Sequence, residues 1–297
     1  MILKKFILCL FIILICITQK IDSLENSSLE NSKNDIENIL LIGTDSSNTN
    51  KPSRSDCMII LTIDTKNKAL RLTSLARDTL VNIPNIGYEK LNHAYAYGKE
   101  KLLLETINNN FNLDIKDYAV VDFKSFIEIV DTIGGVEVDV SQKEIEYLNK
   151  TIEVCYDLNS QNEGNIKYID KVGNNKLNGY QALAYARIRK MDTIYKRDER
   201  QRKILTDIAN KLTNIPLKDY PKVISSVVKH IDVNISIDKI FKLALISQKL
   251  ANYEIKQLEF PVEKYRDEGI SNESKKYVIK WDKEENLKIL NGFIYNK

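Results

Sequence analysis

Cys57-Met-Ile-Ile-Leu-Thr-Ile-Asp-Thr-Lys-Asn-Lys-Ala-Leu-Arg-Leu-Thr-Ser-Leu75 is the stretch whose reading decides the fold. Two runs rich in apolar and β-branched residues, Cys57–Ile63 and Ala69–Leu75, flank the polar Asp64–Lys68, which is the pattern of two strands joined by a short turn. Upstream, Asn38-Ile-Leu-Leu-Ile-Gly43 is a short apolar run closed by glycine, a further buried strand that feeds a polar loop over 44–55. Downstream, His93–Phe111 has helical spacing, Tyr118–Phe123 reads as a strand and Lys124–Thr132 as a helix. Gly134-Gly135 is a turn and Val136–Val140 another strand. Residues 141–177 read as irregular. Asn178 is placed to cap a helix through Tyr180–Ala186, and helical patterns return over 197–213, 218–231 and 237–251. Gln257–Phe260 and Tyr277–Ile279 are late strands, and a last helix falls near 283–291. Strands and helices alternate without a repeat. The expectation is an α/β protein: a single α/β/α domain with a central mixed β-sheet flanked by helices.

Composition limits the function classes. With 43% hydrophobic and 29% charged residues, the 297-residue chain is globular, neither disordered nor a multi-span membrane protein. The formal charge is +3, part of it from Lys4 and Lys5, so the body is nearly neutral and the basic domain of a nucleic-acid binder is missing. Nine arginines stand against 35 lysines, and five of the nine fall between Arg187 and Arg202, so arginine is placed where lysine will not serve.

Lys4-Lys5 precedes the unbroken apolar run Phe6–Thr18, and no small-x-small cleavage pattern follows it. Residues 1–21 are expected to be an uncleaved signal-anchor with the N-terminus in the cytoplasm, crossing the cell membrane once. Residues 22–37 form a polar tether, and 38–297 the extracellular domain. Only Cys57 and Cys155 remain in the exported part, which leaves one bridge open and no disulfide framework.

Four constellations carry chemistry. Asp45, after Gly43-Thr44, and Asp56, in Arg54-Ser-Asp56, fall at one end of two neighbouring strands, where α/β folds collect ligands. They read either as loop caps or as the few carboxylates with which Mg²⁺, or Mn²⁺ in its place, is held together with water and phosphate oxygens. Arg77-Asp78 follows a strand. Arg187-Ile-Arg189 can face one ligand only if the helix has ended, because residues two apart on a helix point roughly 200° apart. Arg197, Arg200 and Gln201 share one helix face by their i, i+3, i+4 spacing. Arginine's planar fork binds phosphate bidentately and stays charged when desolvated, so arginines at these points beside two carboxylates suit a diphosphate. His93 and His230 lack the partners of a nucleophilic triad or a zinc site.

These motifs resemble the LytR-CpsA-Psr family of cell-envelope proteins. The matching stretches are Ile39–Asp45, Arg54–Asp56, Ser74–Thr79, Lys90–Tyr95, Val130–Val138, Leu177–Arg189 and Arg197–Gln201, in the family's order, within a motif-bearing core of 38–212. The resemblance implies an α/β/α fold with an apolar cavity for a polyprenyl chain. It also implies a Mg²⁺-dependent phosphotransferase that moves an anionic glycopolymer, teichoic acid or capsular-type polysaccharide, from undecaprenyl pyrophosphate to a peptidoglycan acceptor. On that resemblance Asp45 and Asp56 are the metal carboxylates. Arg54, Arg77, Lys90, Arg187, Arg189, Arg197 and Gln201 contact pyrophosphate, with Arg77, Asp78, Arg187 and Arg189 catalytic. Asp56 and Asp78 both stand as general-base candidates. Two positions depart from the family's pattern: its usual proline before Arg-Asp is Ala76, and its Asp-aromatic-Gly-Arg entry to the last motif is Ile194-Tyr-Lys-Arg197. A hydrolase of the same lipid and a non-catalytic envelope sensor are the alternative readings.

Overall fold

The computed structural model describes residues 35–44, 53–157, 165–188, 199–201, 203, 204, 207, 208, 211, 231–235, 239, 253–271 and 276–296. The expected anchor and nearly all of the tether lie outside them, as do the expected helices at 218–231 and 237–251 apart from Ile231 and Lys239. Among the described residues no helix is long and apolar enough to cross a membrane. The chain divides into two compact units, one holding 35–122, 232–235 and 253–296 and the other 123–231 with 236–252.

The first unit is built on the predicted pair of strands. β2 (Ser55–Asp64) and β3 (Ala69–Leu75) are antiparallel, with Ile63 opposite Leu70. Asp64 closes their turn by accepting the Asn67 N–H at 2.9 Å and its side-chain amide at 2.8 Å. β1 (Ile36–Thr44) pairs antiparallel with β2, and β6 (Asp117–Val121) runs parallel to β1. The short β9 (Asp232–Val233) and β10 (Glu254–Phe260) complete a mixed six-stranded sheet in the order β10-β3-β2-β1-β6-β9.

Register decides which side chains are buried together. Ile42 lies opposite Met58 and Leu40 opposite Ile60, so all four point to one face. That face packs on Leu91, Leu103, Ile107 and Phe111 of α1 (Leu91–Phe111) and on Leu287, Leu290 and Ile294 of α5 (Lys283–Tyr295). Fully buried side chains of this kind contribute about 1.5–3 kcal/mol each. The predicted helix at 93–111 begins two residues early and breaks once, at Gly98 and Lys99. A Cβ on Gly98 would lie 2.5 Å from that of Leu102, so the kink needs glycine. Two hairpins flank the start of α1: β4 (Leu80–Ile83) with β5 (Gly87–Lys90), neither read from the sequence, and β11 (Arg266–Ile270), also unread, with β12 (Tyr277–Trp281), the strand expected at Tyr277–Ile279.

The second unit contains α2 (Phe123–Thr132), the hairpin of β7 (Val136–Val140) and β8 (Gly173–Leu177), α3 (Gln142–Tyr156) and α4 (Gly179–Arg187). The described residues between 199 and 211 are helical. α4 begins where expected: Asn178 accepts the Gln181 N–H at 3.0 Å, and the Gln181 side chain accepts the Asn178 N–H at 2.9 Å. The reading of 141–177 as irregular is corrected, because α3 and β8 occupy much of it. α3 buries Glu144, Leu148, Ile152 and Cys155, which recur at helical spacing, so the periodic stripe is present in the sequence, set among charged and polar neighbours.

Candidate functional site

Arg77 sits just past the end of β3, where the backbone is fastened from several sides. The Ala76 N–H donates to the Phe260 carbonyl at 2.8 Å, extending the β3–β10 ladder by one bond that a proline could not make. The Thr79 hydroxyl turns back onto the Ala76 carbonyl at 2.6 Å. The carbonyls of Arg77, Asp78 and Thr79 accept from the N–H groups of Asn92, Ile279 and Leu91 at 3.1, 2.9 and 2.9 Å. The first turn of α1 and strand β12 therefore hold this short segment in place. Its side chains inherit a fixed origin.

Those side chains form an alternating chain of charge. Arg77 Nη1 donates to Asp56 Oδ1 at 2.6 Å and Arg77 Nε to Asp78 Oδ2 at 3.3 Å, while Lys90 Nζ donates to Asp78 Oδ1 at 2.7 Å. The Lys90 ammonium lies 5.8 Å from the centre of the Tyr277 ring. Burial alone would lower the pKa of Arg77, but Asp56 and Asp78 outweigh it and push the value up, so the guanidinium is a permanent charge. Arg77 keeps 21% of its side chain exposed, and Asp56 and Lys90 16% each. An arriving anion can therefore compete for donors that the carboxylates occupy. Arg54, two residues before Asp56, is exposed.

The second unit carries its own arginines. Arg187 is the last residue of α4, and Ile188 leaves the helix at φ −56, ψ 120. That is the helix end on which the sequence argument for Arg187-Ile-Arg189 depends. The Arg187 guanidinium lies 4.5 Å from the centre of the Phe123 ring, and its Nη1 is 3.5 Å from Cys155 Sγ. Burial pushes the Cys155 thiol's pKa up although Arg187 opposes it. Gln201 is half-buried in the helical residues after 199. Asp45, Arg189 and Arg197 lie outside the described residues.

Sequence spacing assigned no separate part to Arg200, which turns out to position its neighbours. It is 2% exposed, donates from Nη2 to the Ile188 carbonyl at 2.9 Å, and pairs with Glu144 at 3.4 Å. Glu144 also accepts the Ser141 N–H at 2.9 Å, so one carboxylate joins the start of α3 to the end of α4 through Arg200. Asn92, inside the Lys90–Tyr95 motif, was likewise given no role. Its Oδ1 is buried with no hydrogen-bond partner among the described residues, beside the backbone that carries Arg77.

A divalent cation suits part of this donor set. Asp56 offers a hard, partly exposed carboxylate oxygen, and Mg²⁺ is characteristically held by one or two carboxylates with water and phosphate for the rest. No cluster of three or more His, Cys, Asp or Glu side chains that could hold a metal occurs among the described residues.

A teichoic acid transferase TagU of Enterococcus faecalis (strain ATCC 700802 / V583) is 31% identical over 239 residues, covering 78% of this chain and 72% of its own. A solved structure described as TagT bound to LIIa-WTA superposes with a TM-score of 0.69 at 24% identity, over 91% of this chain and 94% of that one. Another, the protein YwtF (TagT) with bound octaprenyl pyrophosphate lipid, gives 0.64 at 23% identity, over 90% and 95%. Residues 16–291 match the LytR_cpsA_psr family, and with the Arg77 cluster and the six-stranded mixed sheet in view, the chain belongs to that family.

Proposed function

We propose that this protein is a phosphotransferase that moves an anionic glycopolymer of the teichoic acid class from a polyprenyl pyrophosphate carrier to peptidoglycan. The observation that carries the reading is Arg77, held between Asp56 and Asp78 beside Lys90 at the end of the sheet. Family membership and a TagU relative at 31% identity support it. In the reaction a peptidoglycan sugar hydroxyl attacks the phosphorus nearest the glycopolymer and gives up its proton to Asp56 or Asp78, the two carboxylates on Arg77. The bond from that phosphorus to the bridging oxygen breaks, and polyprenyl phosphate leaves with the electron pair. A loose phosphoryl transition state asks little covalent chemistry of the protein and much positioning and charge stabilisation. Arg77 supplies two differently directed donors from one rigid plane, and Lys90 a point charge beside it. Arg187, backed by Phe123, and Arg54, Arg189, Arg197 and Gln201 complete the proposed pyrophosphate contacts. Mg²⁺, held by Asp56 and Asp45, would neutralise charge on the phosphate oxygens. Residues 1–21 would anchor the catalytic domain on the outer face of the cell membrane, near its lipid donor.

The test is product analysis. Purified full-length protein with a lipid-linked glycopolymer, peptidoglycan fragments and Mg²⁺ is expected to yield glycopolymer joined to a peptidoglycan sugar through phosphate. Release of glycopolymer phosphate with no sugar-linked product would replace the reading with a lipid hydrolase, and absence of any turnover would favour a binding or sensing role.

A further inference from the structure

The kink in α1 is occupied by a residue whose backbone does not suit it. Gly98 leaves helical geometry at φ −149, ψ 24, and Lys99 follows at φ 54, ψ −151, a region taken almost only by glycine. A lysine persists there only where its surroundings hold it. Two contacts do so. The Lys99 ammonium donates to Ser53 Oγ at 3.0 Å and lies 5.2 Å from the centre of the Tyr95 ring. Tyr95 is buried, and burial, reinforced by Glu100 and Asp232, raises its hydroxyl pKa to about 12, so the ring presents a neutral face to the cation. Among the described residues no carboxylate pairs with Lys99, so the strained lysine is not placed there for an ion pair.

Ser53 stands three residues before Asp56, where β2 departs from regular pairing. Gly43 lies opposite Cys57 and Thr44 opposite Ser55, which makes Asp56 the extra residue of a β-bulge. Bulges re-aim a side chain, and the Asp56 carboxylate here meets Arg77 at 2.6 Å. The serines on either side of Arg54 are both buried, and Ser55 sets its hydroxyl on Met58 Sδ at 3.2 Å. Arg54 is exposed and Asp56 partly so. The stretch leading into the bulge is therefore pinned through its buried serines, and at Ser53 the pin is Lys99.

We propose that Lys99 is a positioning residue for Asp56: the kink delivers its ammonium to Ser53, and that bond fixes the segment from which the bulge aims the Asp56 carboxylate at Arg77. The inference rests on the proposed transfer reaction, in which Asp56 and Arg77 act at the pyrophosphate. Without the bond the bulge loses its upstream anchor, and the Asp56–Arg77 pair samples other geometries.

Glycine separates this role from a purely structural one, because it relieves the backbone while removing the ammonium. In the full-length protein Lys99→Gly is expected to leave the melting temperature unchanged or higher. The kcat for transfer should nevertheless fall by about 10–10²-fold, the scale of a slightly misplaced group in a reaction site, with the lipid-donor KM moving less than about threefold. Ser53→Ala should lower kcat by the same factor, and the double variant should lose no more than either alone. The Arg77 guanidinium gives a readout independent of turnover. Its nitrogen NMR resonances, identified by their loss in Arg77→Lys, should show separate Nη signals held apart by the Asp56 pair, and these should merge in Lys99→Gly. An unchanged kcat, a kcat loss matched by a fall in melting temperature, or additive losses in the double variant would overturn the assignment while leaving the transferase reading intact. If the wild-type protein transfers nothing, the transferase reading fails, and the resonances still decide: Nη signals that Lys99→Gly does not alter remove the positioning role.

Discussion

Arg71 and Arg77 are six residues apart, each paired with aspartate, and they do opposite things. Arg71 and Asp64 meet at 2.9 Å with side-chain exposures of 2% and 0%. Arg77 spreads over Asp56 and Asp78 and keeps a fifth of its side chain in solvent. The first pair is fully enclosed: Asp64 spends its oxygens on Asn67 and Arg71, which closes the β2–β3 turn and fastens it to β3. The second is held in place through its backbone while its charged ends stay within reach. In a chain that otherwise chooses lysine, both arginines look alike as letters, and only burial separates the structural fork from the one available to a ligand.

The sharpest way to break the contrast is to delete each arginine. Arg71→Ala strands the Asp64 carboxylate inside the protein, and losses of about 3–5 kcal/mol are typical when one partner of a buried pair is removed. The denaturation midpoint should fall accordingly. Arg71→Met with Asp64→Leu should recover only part of that loss, because the Asn67 N–H then loses its acceptor. Full recovery would show that the pair has no part in the turn.

Arg77→Ala is expected to act on the reaction instead. The transfer rate should drop by about 10²–10³-fold, the usual effect of deleting one preorganised donor to developing charge. The melting temperature should shift far less than in Arg71→Ala, since partly exposed pairs contribute little to stability. Arg77→Lys should restore little activity, because one ammonium cannot serve Asp56 and Asp78 through two separate donors as Nη1 and Nε do. A Lys variant with near-normal rates would reduce Arg77 to a point charge and dissolve the distinction from Lys90.

The same contrast explains what could be read in the sequence. The sheet's central strands were legible because Cys57–Ile63 and Ala69–Leu75 are apolar, β-branched runs around a polar turn, and they pair antiparallel across it. The α4 cap was legible from Asn178 and Gln181. α3 was missed although Ile145, Leu148, Ile152 and Cys155 recur at helical spacing and Ser141 and Glu144 spell a capping box at its start, because its charged and polar residues dominate the local composition. At the site, Asp56, Arg77, Asp78 and Lys90 were all named from motif positions, but their order of contacts was not. That order depends on β12 and α1 fastening the Arg77–Thr79 backbone, which are contacts between distant segments with no local trace. Arg200 is the opposite case: its spacing put it on a face with Arg197 and Gln201, yet its 2% exposure makes it an internal tie.

The smallest expected effect concerns pH, and it belongs to the enclosed pair. Burial works against the charged form of Asp64, but hydrogen bonds from Asn67 and the charge of Arg71 outweigh it, so the folded pKa lies below the model-peptide value of 3.8. A carboxylate with a depressed folded pKa binds fewer protons in the folded than in the unfolded chain between the two values. Its contribution to stability is therefore complete above the unfolded pKa and fades as pH falls from about 4 through the folded value. Glu89 is also depressed, by His93 and Lys276, so the wild-type acid limb alone does not isolate Asp64. Subtraction does: urea midpoints of wild type and Asp64→Asn, measured from pH 6 down to pH 2, should differ by a constant amount until pH 4 and converge below it. Curves that stay parallel throughout would mean that Asp64 is not the acid-sensitive partner, and that Arg71 is held by packing rather than by its charge.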